Sequence, residues 1–124
     1  MALLNLREIN KKFGGIHALN NVSLTIGGGE IYGLIGPNGA GKTTLFNVIT
    51  GVYLPSSGDV EFNGKSLIGR KPYQVAMMGI ARTFQNIRLF QNMTALENVM
   101  MPLLIRGDNV KSSKSRALTC LTQV

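Results

Sequence analysis

At 124 residues the chain is the size of one domain and long enough to bury a core of its own, and its single cysteine, Cys120, excludes an intrachain disulfide and suggests a reducing compartment. Its longest apolar run, residues 99–105, is 7 residues with Pro102 inside it, far below the roughly 18 needed to cross a bilayer. The net charge of +7 comes from 13 scattered basic residues, paired at Lys11-Lys12 and Arg70-Lys71 and loosely clustered at Lys111, Lys114 and Arg116, so it reads as solvated surface rather than a nucleic-acid face.

The first eight residues, Met1 to Glu8, hold a base and an acid where a secretion signal needs its apolar core, and no such signal is expected. Leu4, Leu6 and Ile9 give a loose strand alternation that Val22-Ser23-Leu24-Thr25-Ile26 repeats cleanly, which predicts an antiparallel front portion. Between the two lies Phe13-Gly14-Gly15-Ile16-His17-Ala18-Leu19, with His17 expected at the surface. Gly27-Gly28-Gly29 with Glu30 predicts a tight turn, and Ile31-Tyr32-Gly33-Leu34-Ile35 reads as a short buried strand of a parallel core.

Next comes Gly36-Pro37-Asn38-Gly39-Ala40-Gly41-Lys42-Thr43-Thr44, which fits the phosphate-cradling pattern G-x-x-x-x-G-K-[ST] without substitution. Accident produces such a match in roughly 4 of 1000 chains this long. Residues 44–50 read as a helix stopping at Gly51, so strand, loop and helix follow in the required order. Glycines let the backbone curl with its N–H groups inward, and the helix start adds further donors and a positive dipole end. A polyphosphate suits that nest, with Lys42 reaching the β and γ phosphates and the Thr43 hydroxyl ligating a bridging Mg²⁺. Kinases and GTPases share this motif, so it alone does not choose among nucleotide-binding classes.

After the helix, Leu54-Pro55-Ser56-Ser57-Gly58 is turn chemistry, and Asp59-Val60-Glu61-Phe62-Asn63-Gly64-Lys65 predicts a short hairpin. Pro72 opens a short helix ended by Gly79, Ile80-Ala81-Arg82-Thr83-Phe84 reads as a strand, and Gln85-Asn86 begins a loop. Thr94-Ala95-Leu96-Glu97 is a capping box opening a helix toward Leu104 that Pro102 should kink or end. A Ser/Lys stretch at residues 111–115 precedes a helical pattern from Arg116 to Leu121.

The order of these elements resembles the ATP-binding subunit of ABC transporters along the whole chain. The residues carrying the resemblance, beyond the phosphate loop, are Phe13 in its Gly-rich loop, the Ser57-Gly58 hairpin, Arg82-Thr83-Phe84-Gln85, Leu89-Phe90, and Met93-Thr94-Ala95-Leu96-Glu97-Asn98-Val99. Phe13-Gly14-Gly15 with Ala18-Leu19, and Phe84-Gln85-Asn86, look most like the branched-chain amino-acid importers and lipopolysaccharide exporters. The resemblance implies an α/β fold, a P-loop NTPase core with an antiparallel β portion and the beginning of a helical subdomain. It makes residues 1–124 the N-terminal part of one nucleotide-binding domain, with about 85–124 leading into the helical part.

By the same resemblance ATP and Mg²⁺ are the cofactors, Phe13 stacks on adenine, and Gln85 of the Q-loop ligates Mg²⁺ or positions water. Leu89, Phe90 and Met93 are candidates for contact with a transmembrane permease subunit. A second ATP-binding subunit would complete a dimer, no nucleic acid is expected, and the location implied is the cytoplasmic face of the inner membrane, held peripherally.

A signature Leu-Ser-Gly-Gly-type stretch, an apolar strand ending in Asp-Glu and a later histidine do not occur in this sequence, and neither Asp59 nor Asp108 ends an apolar strand. We therefore expect roughly the first half of a subunit, with no catalytic residue in it, unable to turn over ATP alone and prone to aggregate or depend on a partner. Rival readings are a non-hydrolysing nucleotide-binding module completed by a second polypeptide, and a soluble ABC ATPase acting on nucleic acid or ribosomes.

Overall fold

A computed structural model describes residues 2–124, which form two compact units, residues 2–82 and Thr83–Val124. In the first, β1 (Ala2–Phe13) turns back through Gly14, at φ +57°, into β2 (Ile16–Gly27). The antiparallel front portion is therefore one long hairpin that takes in the Phe13 to Leu19 stretch, with His17 exposed opposite Lys12. β3 (Ser57–Phe62) pairs with the other edge of β1 and β4 (Lys65–Ser66) with β3, giving an antiparallel sheet in the order β2-β1-β3-β4.

The loose alternation of β1 has a physical cause. Leu6 and Ile9 are both fully buried although three residues apart, an offset that puts them on opposite faces of a regular strand. Glu8 sits between them at φ +49° and the register shifts there, a bulge that absorbs one residue and returns Ile9 to the core. The Ser23 hydroxyl accepts from the Glu8 N–H at 2.9 Å and Asn10 Nδ2 donates to the Glu8 carbonyl at 2.9 Å, which satisfies the backbone that the bulge takes out of the ladder. β3 accommodates the bulge with Gly58, where a Cβ would lie 2.5 Å from the Glu8 carbonyl oxygen.

The core lies on one face of this sheet. Leu6, Ile9, Leu19 and Val60 from the strands meet Leu45 and Val48 of α1 (Lys42–Ile49), Val75 of α2 (Pro72–Met77), and Leu67. Each such side chain, fully buried, contributes about 1.5–3 kcal/mol. On the strands themselves Arg7 bridges Asp59, at 3.0 Å, and Glu61, while the Ser66 hydroxyl donates to Asp59 at 2.7 Å.

Two expected strands are absent among the described residues. Residues 31–37 form no ladder, and Ile31 and Ile35 are fully exposed. An apolar run becomes a strand only when a neighbouring strand offers hydrogen bonds, and β1 to β4 pair among themselves and not with it. Residues 80–84 also lack a strand partner; Ile80 packs against the core, and Arg82 Nη1 donates to Asn47 Oδ1 at 2.6 Å and Thr50 Oγ1 at 3.3 Å, tying the segment to α1.

The second unit is a pair of packed helices, α3 (Ala95–Ile105) and α4 (Val110–Thr122). The capping box forms as read: the Glu97 N–H donates to Thr94 Oγ1 at 3.1 Å and the Thr94 N–H to Glu97 Oε2 at 3.0 Å. Pro102 does not end α3, which runs three residues past it, because a proline forfeits one intrahelical bond while its own carbonyl still accepts from Arg106 at 3.2 Å. The Ser/Lys stretch is itself helical and forms the first turns of α4. Asn109 caps α4 by accepting from the Ser112 N–H at 2.7 Å, and Ser113 and Ala117 are small enough to bury against α3.

Candidate functional site

The phosphate loop is positioned from both ends. On its N-terminal side the Gly27 N–H donates to Glu30 Oε2 at 2.8 Å, and Gly29 turns at φ +79°. On its C-terminal side Leu45 and Val48 anchor α1 in the core, and the Leu45 N–H closes the first helical turn on the Gly41 carbonyl at 2.9 Å. Between them the Ala40 N–H donates to Pro37 O at 3.1 Å, and Gly39 and Gly41 take φ values of +85° and +98°, which L side chains rarely adopt.

Gly41 is also hemmed in. A Cβ there would stand 2.6 Å from the Ala18 carbonyl oxygen and 3.1 Å from Leu19 Cδ2, so the loop rests on the first residues of β2. Ala18 lies two residues beyond Ile16, the register partner of Phe13, which puts Phe13 about 7 Å along the hairpin from that contact.

Lys42 folds its ammonium back into the loop, donating to the Gly36 carbonyl and to Pro37 O at 3.1 Å. The loop thus holds a positive charge inside a curl of backbone, satisfied by neutral acceptors that anionic oxygens outcompete. No side chain caps α1, which leaves its first-turn N–H donors to an anion. Thr43 and Asn38 are exposed at this mouth, and Thr44 is half-buried behind them.

These features fit a nucleotide triphosphate with Mg²⁺. Among the described residues no cluster of three or more His, Cys, Asp or Glu side chains could hold a metal ion. Asp59 and Asp108 are otherwise engaged, Asp59 with Arg7 and Ser66 and Asp108 with Arg116 at 2.6 Å.

Phe13 is 41% exposed and meets Tyr53 edge to face, with ring centroids 5.3 Å apart and an interplanar angle of 74°. Lys11 Nζ lies 5.0 Å from the Phe13 centroid and 5.8 Å from that of Tyr53, and donates to Leu54 O at 2.8 Å. Sequence reasoning singled out neither Lys11 nor Tyr53 for a role, since neither falls in a motif and the two stand 42 residues apart in the chain.

Gln85 is exposed and belongs to the second unit, beside Phe84, whose ring lies 4.3 Å from the Arg88 guanidinium carbon. In that unit Leu89, Phe90 and Met93 are exposed around a cavity of about 400 Å³ that Val99 and Leu121 also line. Asn98 holds the loop carrying them. Its Oδ1 accepts from the Phe90 N–H at 2.9 Å, and its Nδ2 donates to the carbonyls of Phe90 at 3.1 Å, Met93 at 3.3 Å and Thr94 at 2.9 Å. Nothing in the local pattern distinguishes Asn98 from a surface asparagine; its place one turn into α3 does.

Residues 19–124 match the family described as ABC transporter. Over 99 residues the chain is 48% identical to the high-affinity branched-chain amino acid transport ATP-binding protein LivG of Salmonella typhimurium, which covers 80% of this chain and 39% of LivG. It is 42% identical over 99 residues to the corresponding protein BraF of Pseudomonas aeruginosa, again 80% of this chain and 39% of BraF. Among solved structures, the dimeric ATP-binding cassette MJ0796 in a post-hydrolysis state with ADP and Pi superposes with a TM-score of 0.79 at 31% identity, over 96% of this chain and 56% of that one. The matches therefore take in well under two thirds of the length of these relatives.

Proposed function

Because the chain belongs to the ABC transporter family, and its fold is that of the family's ATP-binding cassettes, we propose that residues 36–44 bind ATP with Mg²⁺ on behalf of a transporter that moves branched-chain amino acids. The observation that carries this reading is the Lys42 ammonium held within a loop whose Gly39 and Gly41 are left-handed. In it Gly36, Pro37, Asn38, Gly39, Ala40 and Gly41 supply the curl, Lys42 the charge, and Thr43 a hydroxyl for Mg²⁺, with Thr44 in the first turn behind. Phe13 is the adenine platform and Gln85 the residue that senses the γ-phosphate through Mg²⁺ or water.

The names of LivG and BraF support the substrate class. The division at Arg82 supports taking the chain as the N-terminal part of one nucleotide-binding domain, with residues 85–124 leading into its helical part. Leu89, Phe90 and Met93, presented by Asn98, suit contact with a membrane permease subunit, and a second ATP-binding subunit completes the pair. No described helix is long and apolar enough to cross a membrane.

What these residues do is bind and orient: backbone donors and Lys42 neutralise the phosphates, and Thr43 fixes the ion. Mg²⁺ held there by Thr43 would supply neutralising charge to the bound phosphates. A positioned water needs a general base, and Asp59 and Asp108 are engaged elsewhere, with Arg7 and with Arg116.

The test is equilibrium binding of a fluorescent ATP analogue to the 124-residue chain with Mg²⁺, following phosphate release in the same sample. Binding without release is expected. No binding by a monodisperse chain would refute the reading.

A further inference from the structure

A ring that receives a nucleobase gains affinity only if it is already oriented when the base arrives, since a freely rotating side chain must give up that freedom on binding. Phe13 stands at the end of β1, next to the turn, and is 41% exposed, so the strand alone does not fix its ring. Tyr53 meets that ring edge to face at 5.3 Å and 74°.

Tyr53 is itself held. Its N–H and that of Val52 both donate to the Asn47 carbonyl, at 3.0 and 2.8 Å, which fastens this turn to the last stretch of α1. The helix that begins at the phosphate loop thus ends by carrying Tyr53, roughly 12 Å away at a rise of 1.5 Å per residue. Lys11 closes the group. Its ammonium is tethered to Leu54 O at 2.8 Å and attracted to both rings, linking the β1 end to the same turn from the other side.

We propose that Tyr53 is a positioning residue for nucleotide recognition: it orients the Phe13 ring and, through α1, sets the distance between the base platform and the phosphate loop. The proposal rests on the reading that Phe13 stacks on the base. Tyr53 touches neither base nor phosphate in this scheme, and its contact is through the ring, so its hydroxyl is dispensable.

The experiment compares affinities of the 124-residue chain for a fluorescent ATP analogue and for inorganic triphosphate, in Tyr53→Leu, Tyr53→Phe, Phe13→Ala and the double variant Phe13→Ala with Tyr53→Leu. Tyr53→Leu should weaken ATP binding by about 2- to 10-fold, the scale of one edge-to-face pair, and leave triphosphate binding unchanged. Tyr53→Phe should restore ATP binding, and the double variant should lose no more than Phe13→Ala alone. An equal loss for triphosphate would overturn the proposal by showing that Tyr53 merely stabilises the fold. Full ATP affinity in Tyr53→Leu, with a loss in Phe13→Ala, would overturn it and leave base stacking intact; full affinity in both would overturn base stacking as well.

Discussion

Replacing each of two glycines of the phosphate loop by alanine separates conformational strain from crowding. Gly39, at φ +85°, has nothing within 4 Å of where a Cβ would stand. Gly39→Ala therefore costs only the left-handed conformation, about 1–2 kcal/mol. Gly41, at φ +98°, carries the same strain, and its Cβ would also lie 2.6 Å from the Ala18 carbonyl oxygen, a backbone atom of β2 that no rotamer can move aside. Overpacking of this kind adds about 1–3 kcal/mol, so Gly41→Ala should cost about 2–5 kcal/mol in all. With a urea slope of about 1–3 kcal/mol/M, the Gly41 variant should unfold at a midpoint lower than that of Gly39→Ala by about 1 M. Urea unfolding followed by circular dichroism measures both. Equal losses in the two variants would refute the claim that β2 supports the loop at Gly41.

Lys42→Ala removes the charge in the loop and should weaken ATP-analogue binding by at least about 10-fold, the scale of a hydrogen bond to a charged group, as read by fluorescence titration. Thr43→Ala should flatten the dependence of ATP affinity on Mg²⁺ concentration while leaving metal-free binding in place. Asp59 is held below the ordinary aspartate range by the Ser66 hydroxyl first and the Arg7 guanidinium second, against an opposing contribution from partial burial. Its stabilising contribution is therefore complete above the unfolded value of about 3.9 and lost as pH falls through the lower folded value, so Asp59→Asn should blunt the acid limb of the stability profile and leave its slope near neutrality unchanged. Asn98→Ala should speed amide hydrogen exchange at Phe90, whose N–H loses its acceptor, without changing exchange in β1.

Much of this protein was written locally. The phosphate loop, the hairpin after it, the proline-initiated α2 and the Thr94–Glu97 capping box depend on neighbours within a few residues, where turn chemistry and helix caps act, and they stand where the sequence places them. Asn109 was an equally local cap, masked by the polar run after it. Residues 31–35 and 80–84 are the opposite case, because a strand is a property of the sheet that receives it and apolar composition alone supplies no hydrogen-bond partner. The same holds for the site. Sequence by itself determined that residues 36–44 carry the phosphate-cradling pattern without substitution, and its resemblance to a known family pointed to Phe13 and Gln85. Only the tertiary structure decided that a bulge at Glu8 brings Ile9 into the core, that Gly41 must stay bare against Ala18, and that Lys11 and Tyr53 gather around Phe13. Those facts come from contacts between segments far apart in the chain, which only the packing of sheet against helix creates.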